Sequence, residues 1–245
     1  MPTETLPPQL SLNPQAKITV RQFGTEGQPL IVIDDVMLHP EEMVAYAVTR
    51  GQFSDPPAGS YYPGRNGILP PEYGPALCTA LRPFLERVFG LPQGMALSHE
   101  GFFGIACLPP EQLQPLQAIP HFDAANPQRI ACVHYLCRPP YRGTAFYRHI
   151  ATGYESIHGL RVEPYRRSVL AELQAAGDTV QSHAGGDVAG YERIETVDAV
   201  FNRLILYRAT SLHAGILNEM ALGRNPDDGR LTANSFIEAV RPKRF

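Results

Sequence analysis

The chain has 245 residues and a formal net charge of −3, with 44% hydrophobic and 18% charged residues. That balance builds an ordinary globular core and offers no basic surface for nucleic acid or anionic lipid. No apolar run is long enough to span a bilayer, and no basic stretch followed by an apolar one marks a signal peptide, so a cytoplasmic protein without nucleic-acid or membrane partners is expected.

The 24 Pro and 21 Gly indicate frequent turns rather than a helical bundle. Cys78, Cys107, Cys132 and Cys137 lack Cys-x-x-Cys spacing and read as reduced thiols. No repeat or composition break divides the chain, so one domain over residues 1–245 is expected, with residues 1–16 as a flexible arm.

Lys17 to Phe23 alternates and reads as a strand, and Leu30 to Ile33 is a short apolar strand. A helix should follow, with Pro40 in its first turn, Glu41 and Glu42 at its positive end, and Met43, Val44, Ala47 and Val48 on its apolar face. Phe53 to Pro75 reads as a long loop, of the kind that forms lids or binding walls. Tyr61, Tyr62 and Arg65 in this loop are candidates to face a substrate. Ala76 to Phe89 predicts a helix with Leu77, Leu81, Leu85 and Val88 in one stripe, a possible kink at Pro83, and Gly90 as its stop. Strands are predicted over Leu97 to Leu108, Arg129 to Cys137, Gly143 to His149, Arg203 to Tyr207 and Leu231 to Val240, and a helix over Pro164 to Ala176. Gly177 to Gly190 and Asn218 to Gly229 read as loops. His134 and His149 read as structural or solvent-facing, and Tyr147 is a further candidate for the pocket wall.

The chemistry centres on His121-Phe122-Asp123, just after the Pro-rich stretch Leu108 to Pro120. On a strand, positions i and i+2 share a face, so the imidazole and the carboxylate would converge. His213, in Ser211-Leu212-His213, is the candidate third ligand. Two His and one carboxylate on one side of an ion, with the other positions open, form the facial triad of non-haem Fe(II) oxygenases. The long separation of His213 from the other two excludes a zinc finger, and no His-Glu-x-x-His pair is present.

Four further features carry a resemblance. Ile130 to Leu136 ends in a Tyr-Leu pair, Gly143 to Tyr147 is a glycine turn into a strand, Asn202 to Tyr207 precedes the distal His213, and Arg230-Leu231-Thr232 opens the last strand. In this order the chain resembles the Fe(II)/2-oxoglutarate-dependent oxygenases, particularly their prolyl-hydroxylase-like branch, and as a whole it looks like the DUF6445-like bacterial proteins. The resemblance implies a double-stranded β-helix (jelly roll, cupin-like), mainly β with helices packed on one outer face. It implies Fe(II) on His121, Asp123 and His213, with 2-oxoglutarate and O₂ as cosubstrates and no catalytic side chain beyond the metal ligands. The distal carboxylate of 2-oxoglutarate would lie on Arg230, helped by Thr232 and Tyr135, because a guanidinium fork matches a carboxylate. The spacing from His213 to Arg230 is longer than in that branch, which leaves Arg224 as a competitor. The reaction implied is hydroxylation of an unidentified amino acid, peptide or small metabolite, coupled to decarboxylation of 2-oxoglutarate to succinate. The alternatives are a cupin-like metal-binding protein without 2-oxoglutarate turnover and a non-catalytic interaction module on the same fold. Substrate and oligomeric state are open at this stage.

Overall fold

Alternation along the last strand lays out the molecule. From Leu231 to Val240, Leu231, Ala233 and Ile237 join one apolar cluster while Phe236 packs on another. Period two sends the odd positions to one face of the sheet and the even positions to the other.

The computed structural model describes residues 10–57, 60, 62–109, 112–176, 188–217 and 223–240. In chain order its strands are β1 (Lys17–Phe23), β2 (Gln28–Asp34), β3 (Gly64–Gly67), β4 (Ala96–Ala106), β5 (Ile130–Tyr135), β6 (Thr144–His149), β7 (Tyr191–Val197), β8 (Arg203–Arg208), β9 (His213–Gly215) and β10 (Leu231–Val240). The helices are α1 (Pro40–Arg50), α2 (Tyr73–Arg87) and α3 (Val162–Ala176).

Among the described residues, a seven-stranded sheet runs β1-β2-β8-β5-β10-β4-β3 and a three-stranded sheet runs β7-β6-β9, with antiparallel pairing throughout. From β4 onward the chain passes back and forth between the two sheets. His121 adds a single rung to the small sheet by bridging His213. This is the expected jelly roll, a double-stranded β-helix within an α+β fold. β1 and β2 extend the large sheet beyond β8, and β3 extends it beyond β4.

Each face of the large sheet is covered differently. On its outer face Met43 and Ala47 of α1, with Leu77, Leu81 and Leu85 of α2, pack against Ile31, Phe103, Ile105 and Leu206. These residues recur at i, i+4 and i+8, the stripe a helix presents to a sheet. The inner face meets the small sheet through Leu30, Val32, Ala131, Ile205 and Tyr207 against Phe146 and Val197. The expectation that the helices share one outer face holds for α1 and α2 but not for α3. Tyr165 and Val169 of α3 pack with Ala145 and Tyr147 on the far side of the small sheet.

Local signals explain the helix ends. Pro40 opens α1, with Glu41 and Glu42 in the first turn and Arg50 in the last, each placed to favour the helix dipole. After α2, the Leu91 N–H donates to the Leu85 carbonyl at 3.0 Å, and Gly90 between them has φ +70°. Glycine closes the helix there because the left-handed conformation costs it nothing at Cβ.

Two expectations need correction. Residues 10–16 are not a free arm: Leu12 bridges Met37, the Asn13 N–H donates to Val36 O, and Leu10, Leu12 and Ala16 pack on the core. Residues 1–9 lie outside the described residues. The loop read over Phe53 to Pro75 contains β3, which pairs with β4, and its last residues belong to α2.

Candidate metal centre and its cleft

The site forms where His121 pairs with His213, the first residue of β9. His121 and His213 exchange backbone hydrogen bonds in both directions at 2.9 Å. The Asp123 N–H donates to Ala209 O at 2.8 Å, which fixes the carboxylate at the end of β8. His121 and Asp123 are therefore not on a full strand, as alternation suggested. One rung and one backbone bond bring them together instead.

The three side chains converge: their ligand atoms all lie within 4.8 Å of one another. His121 Nε2 stands 3.8 Å from one Asp123 oxygen and His213 Nε2 3.6 Å from the other. His213 Nδ1 lies 2.9 Å from the Ser211 carbonyl. A carbonyl can only accept, so Nδ1 carries the proton and the Nε2 lone pair faces the carboxylate. The His213 ring is packed between Tyr207 and Phe146, with centroids at 4.8 and 6.3 Å.

Electrostatics keep this donor set suited to a cation. Desolvation pulls His213 down to about 4, against the opposing bond to Ser211. His121 is lowered too, by desolvation first and by His213 second. Its side chain is 51% exposed, so it is the more easily protonated of the pair. Desolvation pushes Asp123 up to about 6, while His121 and Arg129 oppose the rise. At neutral pH the site thus offers two free imidazole lone pairs and a carboxylate poorly stabilised by its surroundings, which a divalent ion would satisfy.

Arg230 lies 5% exposed at the start of β10. Its Nε donates to Arg142 O and one terminal nitrogen donates to Gly143 O, both at 2.8 Å. Its guanidinium carbon lies 5.7 Å from the Tyr135 ring centroid. No carboxylate among the described residues pairs with it. Tyr207 connects this cation to the metal site, being close enough to feel both the Asp123 carboxylate and the Arg230 guanidinium. Arg224, in contrast, is exposed.

The remaining sequence candidates divide. Tyr135 is fully buried and its hydroxyl lies 2.7 Å from Thr144 Oγ1. Thr232 is buried beside Asn234, whose amide nitrogen donates to Oγ1 at 3.0 Å. Tyr62 reaches the same part of the cleft. Tyr147 does not: it packs beneath α3 on the opposite face of the small sheet. Arg65 does not act as a free cation in the cleft, since its guanidinium donates to Phe53 O at 2.6 Å. Tyr61 lies outside the described residues. His134 and His149 are buried and structural, bonded respectively to Tyr73 and Asn202 and to Thr152 and Glu172.

Sequence reasoning missed three contributors. Ser211 orients His213 through its backbone, which no side-chain pattern reveals. Arg129 faces Asp123 while pairing with Glu100 and Glu238. Gly104 leaves room for Tyr62 and Asn234. A glycine inside a strand is the signal that could have found it.

Comparison with known proteins adds a family. A family model described as "Family of unknown function (DUF6445)" matches residues 14–237. No curated protein matches. Among solved structures, HygX from Streptomyces hygroscopicus with nickel and 2-oxoglutarate bound overlaps with a TM-score of 0.45 at 12% identity, covering 88% of this chain and 84% of that one. HygX with iron bound overlaps with a TM-score of 0.43 at 12% identity, with the same coverage. EvdMO1 overlaps with a TM-score of 0.31 at 14% identity, covering 91% of this chain and 55% of that one. Overlaps this loose bear on neither the metal nor the substrate.

Proposed function

The chain belongs to DUF6445, a family of unknown function, and from this premise we propose that it is an Fe(II)- and 2-oxoglutarate-dependent oxygenase. One juxtaposition carries the reading. Three metal-capable side chains and a buried guanidinium without a carboxylate partner among the described residues flank Tyr207, which interacts with Asp123 and Arg230 alike. A buried cation left unpaired is unfavourable, and a dicarboxylate that chelates a metal at one end would supply the missing charge at the other.

His121, Asp123 and His213 would hold the iron. Bound iron would supply activation of O₂, coupled to oxidative decarboxylation of 2-oxoglutarate and oxidation of a C–H bond. The chain's own groups set the conditions for that chemistry. The Ser211 carbonyl keeps His213 in the tautomer that presents Nε2. Phe146 and Tyr207 wall His213 and exclude water from it. Arg230 fixes the distal carboxylate, with Tyr135 and Thr232 beside it. Past the small sheet, the partly buried Phe102, Asn234 and Phe236 continue the inner face of the large sheet. This strip is where an amino acid, peptide or small metabolite would lie.

The test is anaerobic addition of Fe(II) and then 2-oxoglutarate to the purified protein. A weak visible charge-transfer band should appear with both present, and should be lost in His121→Ala, Asp123→Ala and His213→Ala but kept in His149→Ala. Metal binding without any response to 2-oxoglutarate would leave the cupin-like alternative in its place.

A further inference from the structure

Tyr62 approaches from outside strands β4–β10, just before β3. Its ring meets Phe102 edge-on with centroids 5.5 Å apart, and its hydroxyl passes over Gly104. A Cβ built on Gly104 would lie 2.3 Å from Tyr62 Oη and 2.6 Å from Asn234 Nδ2. Only a residue without a side chain admits both polar atoms at that point. Gly104 is in register with Thr232 on β10, and Arg230 occupies the preceding position on the same face.

The Tyr62 hydroxyl is buried and makes no hydrogen bond among the described residues. Buried polar groups are nearly always satisfied, so an orphan beside a binding cleft asks for a partner. Asn234 and Thr232 stand close enough to oppose the rise in its pKa but bond to each other, and Arg230, which carries donors only, cannot accept its proton. Arg230 has spent Nε and one terminal nitrogen on carbonyls, which leaves Nη1 without an acceptor among the described residues. Two unsatisfied donors of different elements therefore share one end of the cleft. Desolvation pushes the Tyr62 hydroxyl up to about 12, with Arg230 pulling the other way. It stays protonated through the neutral range and acts as a donor, not a base.

We propose that the Tyr62 hydroxyl donates a hydrogen bond to the distal carboxylate of the ligand seated on Arg230, and so makes the pocket selective for 2-oxo acids that carry a second carboxylate. An ionised carboxylate accepts on both oxygens, and Arg230 Nη1 with Tyr62 Oη gives each oxygen a donor. The inference rests on the oxygenase reading above and adds a residue to it from a segment outside the jelly-roll strands.

Calorimetric titration of the Mn(II)-loaded, full-length protein tests it, with 2-oxoglutarate and pyruvate as probes. Pyruvate keeps the 2-oxo acid and lacks the distal carboxylate. Tyr62→Phe should weaken 2-oxoglutarate binding about tenfold, as expected for one hydrogen bond to a charged group, and leave pyruvate binding unchanged. The metal-free variant should melt no lower than wild type, because the hydroxyl removed was unsatisfied. An unchanged 2-oxoglutarate affinity in Tyr62→Phe, alongside a loss in Arg230→Ala, would overturn the inference and leave the oxygenase reading standing. Equal weakening of both ligands would also overturn it, by showing that Tyr62 only shapes the cleft. Failure of the wild type to bind 2-oxoglutarate would remove the oxygenase reading itself.

Discussion

Arg224 and Arg230 flank one turn and sit in opposite environments. Arg224 is exposed, whereas Arg230 is held by the carbonyls of Arg142 and Gly143 in a buried setting. A fixed, desolvated cation discriminates among anions far more strongly than a solvated one. Arg230→Ala should therefore lose 2-oxoglutarate binding and succinate formation while retaining the metal. Arg230→Lys should keep part of the activity, since the charge remains and the fork does not. Arg224→Ala should form succinate nearly as wild type. Titration of 2-oxoglutarate into each metal-loaded variant decides it: loss in Arg224→Ala with none in Arg230→Ala would move the role to the exposed residue.

Among the elements, α2 is tied to the sheet by a polar relay as well as by its leucine stripe. Asn202 holds both backbone groups of Met37 through its amide, which commits its oxygen to accepting. His134 Nε2, at 3.3 Å, must then donate to that oxygen, and Nδ1 accepts from the Tyr73 hydroxyl of α2 at 3.2 Å. The relay works only with a neutral ring, and burial lowers His134 to about 4. The sign follows directly. The unfolded chain takes up this proton near pH 6.5 and the folded chain only near 4, so the stabilisation is complete above 6.5 and fades as pH falls toward 4. The loss should reach roughly 3 kcal/mol by pH 4. Urea unfolding of wild type and His134→Gln at several pH values checks this. The variant should be the less stable at pH 7, with the gap closing on acidification; a gap that widens would show that His134 binds its proton in the folded state.

The same scale shows what the sequence made legible. β5, β8 and β10 are readable because one face of each meets α1 or α2 and the other meets the cleft or the small sheet, so their apolar character or alternation is strong. β7 escaped notice for a local reason: a register shift against β6 sets Phe146 opposite Glu195 and Tyr147 opposite Arg193, and the skipped Ile194 breaks the period. β3, Gly-Arg-Asn-Gly, has no pattern of its own and is a strand only because β4 offers an edge. In the site, residue types and the His-x-Asp spacing pointed to the triad, while Arg230 came from the resemblance against a spacing that also allowed Arg224. Which face of β6 looks into the cleft was not legible, since alternation separates two faces without naming either. Tyr147 was therefore assigned to the wrong side, while Phe146 approaches His213.

At the scale of the whole molecule, three large apolar clusters among the described residues carry most of the packing, with a small fourth at Ala106 and Leu217, and none depends on an ion. One lies under α1 and α2, one between the sheets and one beneath α3. The metal-free protein should therefore fold, unlike a zinc finger. In the presence of chelator, a circular-dichroism melt should show a cooperative transition, and added metal should raise its midpoint because it binds only the folded form. A featureless melt with chelator would show that the ion is structural.

The paired backbone bonds between His121 and His213 bear on how an ion arrives. They close a loop of roughly ninety residues before any metal is present, an entropic cost of about 4 kcal/mol by the usual logarithmic scaling. An incoming ion need not gather its ligands; it meets two imidazoles already joined at the backbone. Folding then adds little to discrimination between one divalent ion and another. That choice falls to donor type, which ranks first-row ions in the Irving–Williams order and places copper and nickel above iron. Occupancy by iron would accordingly be decided by which ions are free where the chain folds, and protein prepared in nickel-rich buffer should carry nickel.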